Sequence, residues 1–342
     1  MMNEDAFRKK ITWFNFVCCL LVIWNHAGNA ELFFPGIAAD APLMRLQYRV
    51  TPELIRVNIP CFLMLSGYLF YRNFTPDQLA GKWKRRVFSL LIPYLLWNAL
   101  YYAAYLAASY LDVMQGIINR TGLAFTLSGA LRAIVKYEFN PVFWFMYQLL
   151  WLVLLAPVLY FFLKGVRRGA LFLAALTSAV FAGVSLPELN LDALLYYSAA
   201  AYAALHLRNA AEAPWNRRRF ACGAALLALG LLISRPYYTD YFVPGIVFYQ
   251  LFASVGFWLM VPEKRLGKIR PVMTMTFFIY AFHFVPVRFL NKAAALLFPG
   301  NEAVCLALFA LMPLIAVLCC RLAAGLLSRF LPRAFGVLSG GR

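Results

Sequence analysis

Long apolar runs separated by short basic clusters are the feature that most restricts how this chain can fold. Hydrophobic residues make up 63% of the 342 residues and charged residues only 13%, whereas a soluble globular domain is about half apolar and about a quarter charged. A helix needs about 20 apolar residues to cross the hydrocarbon core of a membrane. The sequence therefore predicts an all-α polytopic membrane protein.

The apolar runs predict about ten transmembrane helices in a single domain, residues 1–342. The predicted spans are about 11–28, 52–71, 87–110, 142–163, 169–186, 190–207, 219–234, 242–261, 271–291 and 301–327. An even number of spans places both termini on one side of the membrane. No small-residue cleavage site follows the first run, so we expect a retained helix and not a signal peptide.

The positive charges are distributed as membrane topology requires. The net charge is +18, but most lysines and arginines form short clusters in the loops on the side of the two termini. This distribution argues against a nucleic-acid partner, since it follows the positive-inside rule instead. Both termini are therefore predicted to be cytoplasmic.

Two histidines are predicted to reach similar depth in the membrane. His26 ends the first run sixteen residues after Lys10, which is about 24 Å along a helix at about 1.5 Å per residue. His283 follows Arg270 by thirteen residues in the ninth run, or about 20 Å. Both helices run from inside to outside, so we predict that the two side chains share one cavity in the outer half of the membrane.

Other polar and aromatic residues lie at the outer ends of neighbouring spans. Intramembrane polar residues usually face the bundle interior or a wet cavity. We predict that five residues line the outer side of this cavity, and they are called the acceptor-side residues below: Arg56, Asn58, Trp144, Tyr147 and His283. Two other interpretations stay open, because a membrane histidine often bonds a neighbouring helix and an arginine can extend to the interface.

Two outer segments could contact the membrane surface. The stretch "GLAFTLSGALRAIVKY" predicts an amphipathic helix along the interface. An aromatic group near the outer end of the seventh and eighth spans is typical of an interfacial belt, with a stacking platform for a sugar as the alternative: Tyr237, Tyr238, Tyr241 and Phe242.

The histidines predict proton transfer and not metal or covalent chemistry. An apolar surrounding favours the neutral imidazole, which can take a proton from a hydroxyl as a general base. The seven cysteines all lie inside apolar runs without zinc spacing, and no serine or cysteine lies in a nucleophile motif. We therefore expect neither a metal nor a bound cofactor.

Five segments together resemble a known family. They are "FNFVCCLLVIWNH", "RVNIPCFLMLSGYLFY", "KRRVFSLLIPYLLW", "FWFMYQLL" and "FFIYAFH". In order and spacing, these segments are similar to those of the acyltransferase-three family of integral-membrane O-acyltransferases, over the whole chain. Each motif alone is degenerate, and their combination is moderately specific.

The resemblance implies ten helices around a central cavity in the bacterial cytoplasmic (inner) membrane. An acyl-CoA, usually acetyl-CoA, would be the donor substrate, and a hydroxyl of a cell-envelope carbohydrate or related molecule at the outer face would be the acceptor. The implied partners are therefore membrane lipid, acyl-CoA and an envelope carbohydrate.

The resemblance also assigns individual residues. His26 matches the family's essential first-helix histidine, which we interpret as the general base. Arg86 matches the first arginine of the cytoplasmic Arg-x-x-Arg pattern, and we expect it to bind the CoA phosphates with Lys82, Lys84 and Arg85. Two positions depart from the family pattern: Asn15 and Ser89 replace arginines.

Two other classes of function remain as alternatives. A transporter or exporter of an envelope polysaccharide or lipid-linked sugar would also have many spans and polar groups at membrane depth. Transporters commonly contain paired repeats with broken helices, and no such pairing is visible in the sequence. A binding or sensing protein is the third possibility, in which Asn15 marks lost chemistry.

Overall fold

The computed structural model describes residues 1–112, 114, 118, 121–234 and 243–341, with only the backbone of 52–54. These residues form helices and connecting segments, and no strand occurs among them. The all-α prediction is therefore confirmed for the part of the chain that the structure describes. The aromatic group that includes Tyr237 and Phe242 lies outside the described residues.

Eighteen α-helices are labelled here within the described residues. They are α1 (Glu4–Asn25), α2 (Ala30–Phe33), α3 (Pro42–Tyr48), α4 (Asn58–Tyr71), α5 (Leu79–Arg86), α6 (Ile92–Ala108), α7 (Leu127–Val135), α8 (Trp144–Leu154), α9 (Ala156–Leu163), α10 (Val166–Phe181), α11 (Leu191–His206), α12 (Arg208–Ala211), α13 (Arg217–Ser234), α14 (Val243–Met260), α15 (Thr276–Phe282), α16 (Phe284–Leu297), α17 (Glu302–Phe330) and α18 (Pro332–Leu338). Short π-helical turns at Arg49–Leu54 and Val87–Leu91 precede α4 and α6.

The helices form two compact units. Unit 1 comprises residues 1–18, 56–82 and 151–274, and unit 2 comprises residues 19–55, 83–150 and 275–342. Unit 1 therefore contains α4 and α9 to α14. Unit 2 contains α2, α3, α6, α7 and α15 to α18, together with the last turns of α1 and most of α8.

Five helical segments among the described residues are long and apolar enough to cross a membrane. They are Glu4–Phe33, Pro42–Tyr71, Pro76–Ala108, Val243–Met260 and Glu302–Phe330. A sixth results if α8 and α9 are one bent span. The chain is therefore a membrane protein. The count of ten stays a prediction, since α10 and α11 have 16 residues each, about 24 Å against a core of about 30 Å.

Prolines account for two interruptions of predicted spans. A proline ring clashes with the carbonyl of the residue four positions earlier. Pro157 is placed to interrupt the fourth predicted span, and α8 and α9 meet there at 63°. Pro286 acts in the same way in the ninth, where α15 ends at Phe282 and α16 begins at Phe284. His283 therefore lies at a helix junction and not in the middle of a continuous helix.

Ionic contacts around Arg72, buried on the Glu212 side, connect elements of unit 1. The guanidinium of Arg72 donates to both carboxylate oxygens of Glu212 at 2.7 and 2.9 Å and to Glu4 at 2.8 Å. These hydrogen bonds raise the pKa of Arg72 above its usual range, and the contact with Glu212 has the largest effect. The Tyr68 hydroxyl donates to Glu212 at 2.8 Å. Arg72 is thus part of the folded structure and is not a solvated loop charge.

Lys10 has a similar structural role. Its side chain is buried, and its ammonium donates to the carbonyls of Trp258 and Val261 at 2.7 and 2.8 Å. These carbonyls lie at the C-terminal end of α14, where the last turn lacks intrahelical donors. The positive charge also complements the helix dipole at that end. One member of the N-terminal basic cluster therefore connects α1 to α14.

The glycine of the Ser-Gly-Tyr segment allows α4 and α11 to pack closely. A Cβ atom added to Gly67 would overlap the backbone carbonyl oxygen of Tyr197 and lie 3.1 Å from its carbonyl carbon. Small residues allow this kind of close backbone approach between helices in membranes. Gly67 thus contributes to helix packing within unit 1.

We expect Gly67→Ala to lower the thermal stability of the purified protein, since overpacking a tight contact typically costs about 1–3 kcal/mol. Gly81→Ala is the matched control, because Gly81 lies in α5 with nothing within 4 Å of an added Cβ. Alanine there should be neutral or slightly stabilising. Equal melting temperatures for the two variants would contradict the close packing of α4 on α11.

The segment predicted as an amphipathic helix is α7. Its side chains at 127, 131 and 135 form an exposed apolar stripe, with Leu127 71% and Leu131 56% exposed, while Ala130 and Ala133 are buried. Tyr94 and Asn98 of α6 donate to the carbonyls of residues 135 and 134 at 2.8 and 2.9 Å. The helix is confirmed, and its position along a membrane interface stays a prediction.

Candidate functional site

The structure brings His26 and His283 together in unit 2. Their ring centroids are 5.6 Å apart, with an angle of 36° between the ring planes. The backbone N–H of His26 donates to the carbonyl of Ile23 at 3.1 Å, in the turn that follows α1. His26 is partly buried, and its ring packs edge-on against Phe284, with the ring centroids 5.6 Å apart. The predicted proximity of the two histidines is therefore confirmed.

The hydrogen bonds of His283 determine which ring nitrogen carries its proton. Its Nδ1 lies 2.7 Å from the carbonyl of Tyr280 and 3.2 Å from that of Ile279. Carbonyl oxygens only accept, so in the neutral ring Nδ1 carries the proton and Nε2 keeps a lone pair. His283 is fully buried, and its Nε2 has no hydrogen-bond partner among the described residues. A basic nitrogen thus lies beside His26 with its acceptor capacity unused.

A buried amide network holds the turn that follows His26. The side-chain oxygen of Gln47 accepts hydrogen bonds from the backbone N–H groups of Asn29 and Ala30 at 3.0 and 3.1 Å. The Gln47 amide nitrogen donates back to the Asn29 side-chain oxygen at 2.9 Å. This reciprocal pair satisfies two amide groups at the start of α2 and connects them to α3.

The same network reaches two further helices of unit 2. The Asn29 amide nitrogen donates to the side-chain oxygen of Asn291 at 3.1 Å and to the carbonyl of Cys305 at 3.2 Å. Asn291 in turn donates to the carbonyl of Ala27 at 3.3 Å. The backbone next to His26 is thereby attached to α16, which follows His283, and to α17.

Sequence reasoning did not find this network. In the sequence, Asn29 is only a polar residue near His26, and Gln47 and Asn291 give no signal because their partners are remote in sequence. A buried amide that loses its partner costs about 1–3 kcal/mol. We infer that Asn29, Gln47 and Asn291 are positioning residues for the histidine pair.

We expect Asn29→Leu to destabilise unit 2 markedly, because the change removes the Asn29 partner of the Gln47 amide nitrogen and of the Asn291 side-chain oxygen. Asn25→Leu is the matched control, since Asn25 flanks His26 on the other side and is only partly buried. The measurement is the thermal midpoint of each purified variant. Equal midpoints would show that the network does not hold the turn.

The start of α8 packs against α15, which ends just before His283. Tyr280 stacks on Phe143 at 5.8 Å and meets Phe145 edge-on at 5.8 Å, and its hydroxyl donates to the carbonyl of Val142. Of the two predicted acceptor-side residues here, Trp144 is partly buried, and the Tyr147 hydroxyl accepts from Lys136 at 2.9 Å. Phe143 and Phe145, which sequence reasoning missed, support the His283 segment.

The other two predicted acceptor-side residues belong to unit 1. Arg56 lines a pocket of about 330 Å³ that is part polar and part apolar, and its polar residues include Asp192, Tyr196 and Gln250. The Tyr196 hydroxyl donates to the Gln250 side-chain oxygen at 2.5 Å. Asn58 is buried, and its side-chain oxygen accepts the N–H of Ile59 at 2.6 Å. Arg56 thus lies in a pocket with hydrogen-bonding groups.

The four cations predicted to bind CoA have different surroundings. The Lys82 ammonium, in unit 1, donates to the carbonyl of Phe70 at 2.6 Å and lies 5.1 Å from the centre of the Phe70 ring. Lys84 and Arg85 are exposed in the last turn of α5, whereas Arg86 is partly buried. Lys82 therefore has a structural partner, and Lys84 and Arg85 extend into solvent.

The C-terminal segment packs beside the position where the family arginine is replaced. A Cβ atom added to Gly340, which has φ +74°, would lie 2.9 Å from the carbonyl oxygen of Ser89. The Trp97 indole donates to the carbonyl of Leu338 at 3.0 Å. The turn that follows the basic cluster is thus covered by the end of α18.

Within the described residues, no group of three His, Cys, Asp or Glu side chains could hold a metal ion.

Comparison with known proteins assigns the chain to a family. Residues 8–324 match the acyltransferase-three family model, which describes an acyltransferase domain. The chain belongs to this family. Among curated proteins, the succinoglycan biosynthesis protein ExoH of Rhizobium meliloti (strain 1021) is 24% identical over 287 residues, covering 77% of this chain and 74% of the relative. No solved structure matches significantly.

Proposed function

We propose that this membrane acyltransferase transfers an acetyl or other short acyl group from acyl-CoA to a hydroxyl of a cell-envelope carbohydrate or related acceptor. The observation that supports it most is the pair of imidazoles 5.6 Å apart, one of which has an unused basic nitrogen. Membership of an acyltransferase family supports group transfer, and the comparisons do not favour a transporter.

The proposed reaction uses His26 as the general base. The imidazole removes the proton of the acceptor hydroxyl while that oxygen attacks the carbonyl carbon of the thioester. A carbon–oxygen bond forms, the carbon–sulfur bond breaks, and the proton passes from the imidazolium to the leaving CoA sulfur. The products are the acyl ester and free CoA, so no further reactant is needed.

His283 is proposed to orient the reacting groups. Its Nδ1–H donates to the Tyr280 carbonyl. Its Nε2 is therefore proposed to accept a hydrogen bond either from the acceptor hydroxyl or from the ring N–H of His26. In the second case it would direct the lone pair of His26 to the acceptor. Both arrangements use the only unsatisfied atom of the His283 ring.

The donor is proposed to bind on the cytoplasmic side. Lys84 and Arg85 are exposed at the end of α5, as phosphate-binding cations should be. Arg86 would add a guanidinium, which is suited to phosphate. Lys82 would attract the phosphates through its positive charge without bonding them directly, because its ammonium already bonds the Phe70 carbonyl. This assignment accompanies the proposed topology of ten spans with cytoplasmic termini in the bacterial inner membrane, which the distribution of basic residues supports.

The acceptor is proposed to be a polysaccharide or its precursor. The printed name of the relative ExoH refers to succinoglycan biosynthesis, which supports this class of acceptor. Trp144 and Tyr147 offer an aromatic face and a phenol near the start of α8, and the pocket at Arg56 offers hydrogen-bonding groups. We propose that Trp144 and Tyr147 of unit 2 contact the sugar, and the acceptor role of Arg56 and Asn58 of unit 1 stays a prediction.

We expect His26→Ala to lower the turnover of acyl transfer at least a hundredfold, because general-base catalysis contributes about 10²–10⁴ in rate. Binding of acyl-CoA should be nearly unchanged, since the CoA phosphates are proposed to lie at the opposite face. The measurement is transfer from radiolabelled acetyl-CoA or succinyl-CoA to envelope glycans, with CoA affinity determined on the same preparation.

Two companion variants make this test specific. His283→Ala should lower turnover less than His26→Ala if His283 only orients the reactants. His206→Gln is the control, because His206 lies in unit 1 and bonds the carbonyl of Leu163 at 2.8 Å. Near-normal transfer by His26→Ala would exclude the base assignment, and loss of folding together with activity would make His26 a structural contact.

We expect the double variant Lys84→Ala/Arg85→Ala to weaken acyl-CoA binding without lowering thermal stability, since both side chains are exposed. The affinity of the wild type should fall as salt concentration rises, because exposed charges are screened. Lys82→Ala should instead lower stability, because it removes the bond to the Phe70 carbonyl. The measurement is acyl-CoA affinity at low and high salt, and an unchanged affinity in the double variant would limit these residues to a topological role.

A further inference from the structure

An apolar cavity of about 490 Å³ lies in unit 2 next to the histidine pair. Its volume is in the range of small-molecule sites. The lining is formed mainly by α6 and α16, and it includes Leu100, Ala104, Tyr105, Phe284, Arg288 and Phe289. Almost all of it is hydrocarbon or aromatic surface, so the chemistry of the wall suits an aliphatic chain.

Phe284 connects this cavity to the proposed base. Its ring forms part of the cavity wall and also contacts the ring of His26, with centroids 5.6 Å apart. A molecule whose chain filled the cavity would therefore have its head group within reach of His26. The cavity and the histidine pair share a wall and are not independent features.

Arg288 places a positive charge in the lining. Its guanidinium carbon is 5.5 Å from the centre of the Phe284 ring, one helical turn away on α16. Arg288 is partly buried, and no carboxylate pairs with it among the described residues. A guanidinium fits phosphate with two parallel hydrogen bonds. The site therefore combines an apolar slot with a group that recognises an anion at its edge.

The cavity is open on the side of exposed apolar residues. Leu100 of α6 is 47% exposed, and Val285 and Phe289 of α16 are 44% and 47% exposed. The segment that contains α6 is long and apolar enough to cross a membrane, so this opening is suited to hydrocarbon and not to water. A chain can therefore enter sideways from the bilayer, which a free sugar or a free CoA cannot use.

We propose that the cavity binds the hydrocarbon chain of a lipid phosphate that carries the acceptor sugar, with the phosphate at Arg288 and the sugar hydroxyl at His26. This rests on the proposed function and narrows its acceptor to a lipid-linked glycan. The acyl chain of the donor fits less well, because it carries no charge for Arg288.

The test measures binding of a tritiated polyprenyl phosphate to the purified full-length protein in detergent micelles. Ala104→Phe narrows the cavity from an exposed position, and Ala103→Phe is its matched control on the same helix, exposed but outside the lining. Ala104→Phe should weaken binding at least tenfold, and Ala103→Phe should bind as the wild type does. Arg288→Gln should also weaken binding at least tenfold, and Arg288→Lys should retain part of the affinity.

Three results would overturn the inference. One is unaltered binding of the probe by Ala104→Phe. Another is displacement of the probe by phosphatidylglycerol at equal concentration, which would make this a site for ordinary bilayer lipid. The third is a change in the preferred acyl-CoA chain length in Ala104→Phe with unaltered probe binding, which would assign the cavity to the donor.

The same measurements separate this inference from the proposed function. His206→Gln should bind the probe as the wild type does, since His206 lies in unit 1 and outside the cavity lining. Probe binding without acyl transfer by the wild type would overturn the proposed function alone. Transfer to a water-soluble glycan, with Ala104→Phe as active as Ala103→Phe, would overturn the lipid-linked acceptor alone.

Discussion

The arrangement of the candidate site depends on one buried group of amides. Asn29 takes part in most of the hydrogen bonds that join the turn beyond His26 to Gln47, Asn291 and Cys305, and the backbone of Ala27 and Ala30 supplies two more. A buried network of this kind is stabilising only when all its members are satisfied. His26 lies in the turn that follows the long helix α1, and without these hydrogen bonds that turn would not be attached to the neighbouring helices. Its distance from His283 therefore depends on three helices that the chain contributes far apart in sequence.

Much of the fold could be predicted from the sequence, because apolar runs and prolines act locally. Each predicted span corresponds to helical structure in its described part, and the interruptions occur where Pro157 and Pro286 remove a backbone donor. The number of crossings is harder to predict, since a run such as that of α10 is apolar throughout and still too short for a full hydrocarbon core. Hydropathy measures composition, and crossing also requires length.

The site was only partly accessible from the sequence. The approach of His26 to His283 followed from helical rise alone, since both lie at known distances from basic clusters. The roles of Lys10, Arg72 and Lys82 did not follow, because a charge count treats every cation as solvated. Each of these side chains bonds a carbonyl or carboxylate that is distant in sequence or on another helix. Long-range pairing of this kind leaves no periodic signal in one sequence.

The hydrogen bond from His283 to the carbonyl of Tyr280 has an evolutionary consequence. The acceptor is a main-chain atom, so the proton position on the ring does not depend on which side chains occupy 279 and 280. Related sequences can therefore drift at these two positions while the tautomer is retained, provided that the helical turn persists. In a histidine held by a carboxylate, the same drift would release the ring, because loss of the acidic side chain would remove the acceptor.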